Sequence, residues 1–204
     1  VRRLRFYDRG DLYRERMHEL WQQKMSESGL FSQVKTEYVP RDTSATCDTL
    51  DMVVTATLDK PFDAKLEARG TIKSNGQVGP ALSFSVTKAD AFRGAETLGG
   101  DVWGSYEWQT GANLQGDRAA LNSYEFGGSI HLTYPRLMFF GLGRRLGRRS
   151  VASTRFKLNA RCQSRAGYYG RVTFGAHVTY KMQFVRNATH EFSPFKLEYE
   201  MQYS

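Results

Sequence analysis

The sequence predicts a mostly β protein: about seven antiparallel strands forming part of a transmembrane β-barrel, preceded by a partial α+β unit. Three observations predict it. Long segments alternate strictly between apolar and polar residues, as a strand between two unlike environments does. Their polar face carries full charges of both signs on nearly every strand, which a water-filled lumen tolerates. Their apolar face ends in Trp108, Tyr124, Tyr134, Tyr168, Tyr169, Phe184, Phe192 and Tyr203, as an aromatic girdle at each membrane–water interface would.

The first sixty residues are the α+β unit. Gly10-Asp11 suggests a turn and helix entry; Tyr13, Met17, Leu20, Trp21 and Met25 then recur at helical spacing, and Gly29 ends the helix. Val34, Thr36 and Tyr38 alternate with Lys35 and Glu37, which predicts a strand. A polar loop from Pro40 to Asp48 follows. Leu50, Met52, Val54, Ala56 and Leu58 predict a second strand. Lys60-Pro61 reads as a boundary, dividing the chain into residues 1–60 and 61–204.

Beyond it the alternation lengthens. Phe62–Lys73 sets Phe62, Ala64, Leu66, Ala68, Gly70 and Ile72 against Asp63, Lys65, Glu67, Arg69, Thr71 and Lys73. Tyr124–Tyr134, Arg155–Gln163, Val172–Phe184 and the run from Phe195 to Tyr203 repeat the pattern; Ala81–Thr87 and Leu98–Gln109 follow it less fully. No helical segment intervenes. Several of these strands match the ~9–11 residues needed to cross a tilted bilayer path. A soluble β-sandwich or soluble ligand-binding barrel shows the same alternation; the charged face and aromatic ends favour the membrane.

Bulk properties are compatible with this but do not point to it. The 204 residues carry a net charge of +8, which alone would suit a soluble chain and a nucleic-acid partner. No apolar run approaches the ~20 residues of a membrane helix, which excludes a helical membrane protein and not a barrel, whose strands have low mean hydropathy. Cys47 and Cys162 match no metal or redox spacing. A disulfide between them is conceivable in an oxidising periplasm. The chain begins at Val1, and an exported protein needs an address, so a further N-terminal segment is expected.

Several segments together resemble one family, in chain order. Gly10-Asp11-x-Tyr13 and Gly29-Leu30-Phe31-Ser32-Gln33-Val34 are similar to the second helix and next strand of a polypeptide-transport-associated (POTRA) domain. Leu50-Asp51-Met52-Val53-Val54 resembles its last strand, and Gly76-x-x-Gly79-Pro80 a first barrel hairpin. Ala91-Phe92-Arg93-Gly94-Ala95-Glu96 resembles a periplasmic turn, with Asp90 or Ala91 where Asn is usual. Tyr134-Pro135-Arg136 and Arg165-x-Gly167-Tyr168-Tyr169 add to the set. The chain thus resembles the BamA/TamA family of outer-membrane assembly proteins, the bacterial surface antigens, in their Bacteroidota style. The resemblance implies that residues 1–60 are the C-terminal part of a periplasmic POTRA domain and 61–204 the first strands of an outer-membrane barrel. The family's remaining strands and lid loop have no counterpart here, so a truncated sequence is expected.

Such barrels insert unfolded outer-membrane chains by strand addition at an exposed edge, without ATP. The resemblance implies partners accordingly: client chains, outer-membrane lipids, and periplasmic or lipoprotein accessory subunits, with no nucleic acid. The candidate edge is Leu66, Glu67, Ala68, Arg69, Gly70 and Thr71, where Gly70 either weakens a gate or thins the lipid face. The candidate periplasmic turn is Phe92, Arg93, Gly94, Ala95 and Glu96. His131 and His177 face the predicted lumen as wall residues rather than metal ligands. Arg144, Arg145, Arg148 and Arg149 form a basic turn, read as solvated, with nucleic-acid phosphates, anionic lipid headgroups or an acidic partner as its alternatives, and Asn187-Ala188-Thr189 is a sequon without meaning in a bacterial barrel. No nucleophile–base pair or phosphate loop is present, so no catalytic residue, metal or cofactor is assigned and no enzyme is expected. An upstream patatin-like phospholipase domain would be the enzymatic alternative.

Overall fold

A computed structural model describes residues 7–42, 47–72, 77–109, 122–138, 151–165, 169–185 and 188–203. Lys73, Gly76, the basic turn from Arg144 to Arg149, Gly167-Tyr168 and Asn187 lie outside them. The chain is mostly β, with one helix, α1 (Glu15–Glu27), among the described residues. The strands β1 (Phe31–Pro40) and β2 (Leu50–Leu58) form a two-stranded antiparallel sheet. Then β3 (Phe62–Ile72), β4 (Gln77–Ala89), β5 (Thr97–Gln109), β6 (Ser123–Tyr134), β7 (Val151–Arg165), β8 (Tyr169–Val185) and β9 (Ala188–Tyr203) form one antiparallel sheet of seven, each strand beside the next. Among the described residues β3 pairs with β4 alone and β9 with β8 alone, so the sheet is not closed.

The helix begins later than Gly10-Asp11 suggests. Asp11 closes its own turn instead, accepting the Asp8 N–H at 3.0 Å through Oδ2. Arg14 stands extended at the N-cap without a side-chain capping bond. The other end stops as expected: Gly29 takes φ +64°, open to glycine at little cost, and the Ser28 hydroxyl donates to the Met25 carbonyl. One face of α1 buries Leu20, Trp21 and Met25. Tyr7, Met17, Leu30, Phe31, Val34 and Met52 pack around them, and so do Ala95 and Val151 from beyond residue 60.

In the large sheet the predicted faces hold. Leu66, Leu82, Phe84, Val102, Phe126, Ile130, Leu158, Phe174 and Leu197 are exposed on the apolar side. On the polar side Arg155, Lys157, Arg161, Thr173, His177, Thr179 and Glu198 line a recess of about 1140 Å³. Trp108, Tyr124 and Tyr203 lie near one rim of the apolar face; Tyr134, packed edge-on against Phe156, and Phe192 lie near the other. Tyr169 corrects the girdle reading. It pairs with Arg165 and lies between the guanidinium groups of Arg165 and Arg171, on the polar side.

Three strands depart from regular alternation or pairing for local reasons. On β9, Val178 pairs with Phe195 but Tyr180 with Phe192. An extra residue at Ser193-Pro194 is therefore bulged out, a position where proline loses no ladder bond. The bulge lets Phe192 and Phe195, three apart, share the apolar face. On β4, Gly79 and Pro80 interrupt the ladder to β5, and a Cβ on Gly79 would collide with the Tyr106 carbonyl. On β5, Trp103 falls on the polar face, opposite Gly127.

Candidate functional site

The predicted edge, Leu66 to Thr71, lies on β3 at the free margin of the sheet. Its backbone polarity follows from one bond: the Ala89 N–H donates to the Pro61 carbonyl at 2.9 Å. In an antiparallel ladder such bonded positions recur at every second residue. The odd-numbered residues Asp63, Lys65, Glu67, Arg69 and Thr71 therefore bond to β4. The N–H and C=O groups of Ala64, Leu66, Ala68 and Gly70 point to the open side. The side chains of these outward-bonding residues lie on the apolar face, Leu66 being 75% exposed. On the opposite face Glu67 is clasped by Lys65 at 3.2 Å and Arg69 at 2.7 Å. At Gly70, opposite Pro80, a Cβ would meet nothing within 4 Å, so no contact demands glycine there.

The predicted turn, Phe92 to Glu96, joins β4 to β5 and sits beneath α1. Asp90, Arg93 and Ala95 all take positive φ, a conformation that costs non-glycine residues about 1–3 kcal/mol each unless surroundings hold it. Here they do. Asp90 Oδ1 accepts the Ala95 N–H at 2.8 Å, its carbonyl accepts from Arg93, and the Ala91 N–H donates to the Glu96 carbonyl. Ala95 is buried in the cluster with Trp21 and Met25, and Glu96 is buried too. Phe92 is left exposed.

Polar contacts complete the docking of α1. Gln23 Nε2 donates to Gln183 Oε1 of β8 at 2.8 Å. Lys24, Glu27 and Ser28 line one end of the recess. Lys24 is buried, and loss of hydration lowers its pKa to about 8. On the helix's other flank, burial holds His18 below its usual pKa and pushes Tyr38 up to about 12. A neutral imidazole is then the natural acceptor of the Tyr38 hydroxyl, 2.6 Å from Nδ1.

The wall of the recess is cross-linked by charge. Arg161 meets Glu125 at 3.2 Å, Arg171 meets Glu200 at 3.1 Å, and Lys196 meets Glu198 at 3.2 Å. Two large polar-face residues lie over glycines opposite: Trp103 over Gly127 and His131 over Gly99, the arrangement by which aromatic rings cover strand glycines.

Sequence reasoning placed Leu66–Thr71 on a strand and Phe92–Glu96 between strands, and it assigned the two faces of the sheet. It missed the seating of α1 on Ala95 and Val151, which no periodicity announces. The signal that could have found it is Ala95-Glu96, a small residue and a carboxylate closing a turn opposite an amphipathic helix. No family model, curated protein or solved structure matches the chain.

Proposed function

We propose that the seven-stranded sheet is part of a transmembrane barrel in a bacterial outer membrane. In this reading residues 1–60 are the end of a periplasmic POTRA domain, and the barrel inserts or translocates outer-membrane client chains without enzymatic chemistry. The observation that carries the reading is the uncovered apolar face of the sheet, running through every strand from β3 to β9, opposite a charged wall. Exposed apolar patches on soluble monomers rarely exceed a few hundred Å². Lipid is the environment in which such a face is stable while the charged face meets water. The turn beneath α1 then lies at the periplasmic mouth.

Strand addition is supported by the outward-pointing groups of Ala64, Leu66, Ala68 and Gly70. In hydrocarbon each unpaired backbone group costs several kcal/mol, so β3 requires a partner strand; a weak one can be exchanged for a client's. The test is a proline scan in the intact protein. Leu66→Pro or Ala68→Pro removes an outward donor and leaves the β4 ladder whole, so client insertion falls severalfold while the barrel still folds. Glu67→Pro breaks the inner ladder and impairs folding itself. Leu66→Val leaves insertion intact. Normal insertion by Leu66→Pro would remove the edge from the mechanism.

A further inference from the structure

We propose that the polar face carries a binding site for a small water-borne oxyanion of the sulfate or phosphate class, centred on Arg155 and Lys157. The strand register builds a transverse basic row: His131 faces Lys157, Lys157 faces His177, and His177 faces Lys196. Directly opposed residues sit about 5 Å apart at Cβ. Arg155 stands two residues from Lys157 on the same face. Arg155 and Lys157 are therefore neighbouring like charges, whose mutual repulsion is unfavourable. Glu198 serves Lys196 at 3.2 Å and lies 3.9 Å from His177. Asp101 is engaged by the Ser129 hydroxyl. Among the described residues no carboxylate forms an ion pair with Lys157.

Arg155, Lys157 and His177 all border the recess, which has room for a hydrated anion. Arg155 is oriented by its Nε–H, which donates to Thr133 Oγ1 at 3.2 Å. A tetrahedral oxyanion between these cations accepts charge-assisted hydrogen bonds and eases the repulsion between Arg155 and Lys157. The site stands on register and charge; only the exclusion of lipid headgroups rests on the membrane reading, which turns the opposite face to the bilayer. His131 and His177 flank Lys157 in the row, on β6 and β8, and His177, which borders the recess, can donate to the anion beside Lys157.

Sulfate tests this cleanly, because it stays a dianion near neutrality. Titration of sulfate into the intact protein in neutral detergent, followed by calorimetry, is expected to show saturable binding. Lys157→Gln weakens it by about tenfold or more, the scale of one charged hydrogen bond. Lys35→Gln on the distant hairpin changes nothing. Circular dichroism of each variant separates lost binding from lost fold. Micelles doped with phosphatidic acid do not compete; competition there would instead make the occupant a lipid headgroup and count against the membrane orientation. Sulfate binding by folded Lys157→Gln equal to wild type, or no saturable binding, would overturn the site.

Discussion

Lys24 is the residue whose chemistry most opposes its position. The residue is 5% exposed, and desolvation lowers its pKa from 10.5 to about 8. The folded state therefore disfavours the proton relative to the unfolded chain. Below pH 8 the full penalty applies, on the order of 3 kcal/mol. It fades as pH rises from about 8 to 10.5 and is gone above that, so helix docking strengthens with alkalinity. Lys24→Met is expected to dock more tightly at neutral pH and to lose that rise. Hydrogen exchange of the α1 amides across pH measures both, and parallel pH profiles in the two proteins would show that Lys24 is not the cause. By spacing Lys24 belongs to the apolar stripe, at i+4 from Leu20 and i+7 from Met17; only its charge disguises its burial. Trp103 shows the converse. It makes Leu98–Gln109 a poor alternator, and its reason lies on another strand. A Cβ on Gly127 would come 2.5 Å from Trp103 Cζ2 and 2.7 Å from the Ala160 carbonyl oxygen.

Strands were legible wherever the period stayed at two and illegible where it slipped. The β9 pattern is readable from Phe195 onward, but the bulge at Ser193-Pro194 shifts the parity and hides Ala188–Phe192. The same slip makes a prediction. Deleting Pro194 removes the extra residue and leaves Phe192 and Phe195 on one face, so the strand regularises and the intact protein still folds. Deleting Glu198 instead turns Tyr199, Met201 and Tyr203 toward the polar side. Folding yield in detergent is expected to stay near wild type for the first deletion and to collapse for the second. Equal yields would mean that β9 is not held in this register. The backbone conformation of the turn Asp90–Glu96 was illegible for a different reason. Its positive φ values fall on Asp, Arg and Ala rather than on Gly94, so no residue type betrays the backbone, and the helix above it stabilises the conformation.

At the scale of the molecule, period-two alternation predicted one long antiparallel sheet with unlike faces, because each residue's side is set by its parity alone. Closure is different, since it depends on which strand meets β3 and β9, and no residue in either strand encodes a partner's identity. Among the described residues of 62–204 both sheet edges are open, and lipid cannot supply the missing hydrogen bonds. In micelles this piece is expected to remain protease-sensitive, and cooperative resistance would show that the edges find each other. The membrane reading itself is tested on β8, where neighbours face opposite environments. Val178 lies between Phe156 and Phe195 on the apolar face. Thr179 borders the recess and hydrogen-bonds Ser193 at 3.1 Å. Both sit near the middle of a 17-residue strand, so depth in the bilayer is nearly the same and only the face differs. Val178→Arg is then expected to destabilise the intact protein in liposomes by roughly 2–4 kcal/mol, the cost of a cation on the lipid face near the midplane. Thr179→Arg, with water before it, costs little beyond one hydrogen bond. In a soluble sandwich with a second layer over the apolar face, Val178→Arg would be as damaging in detergent-free buffer, and that outcome, with a monodisperse wild-type protein, would move the sheet out of the membrane.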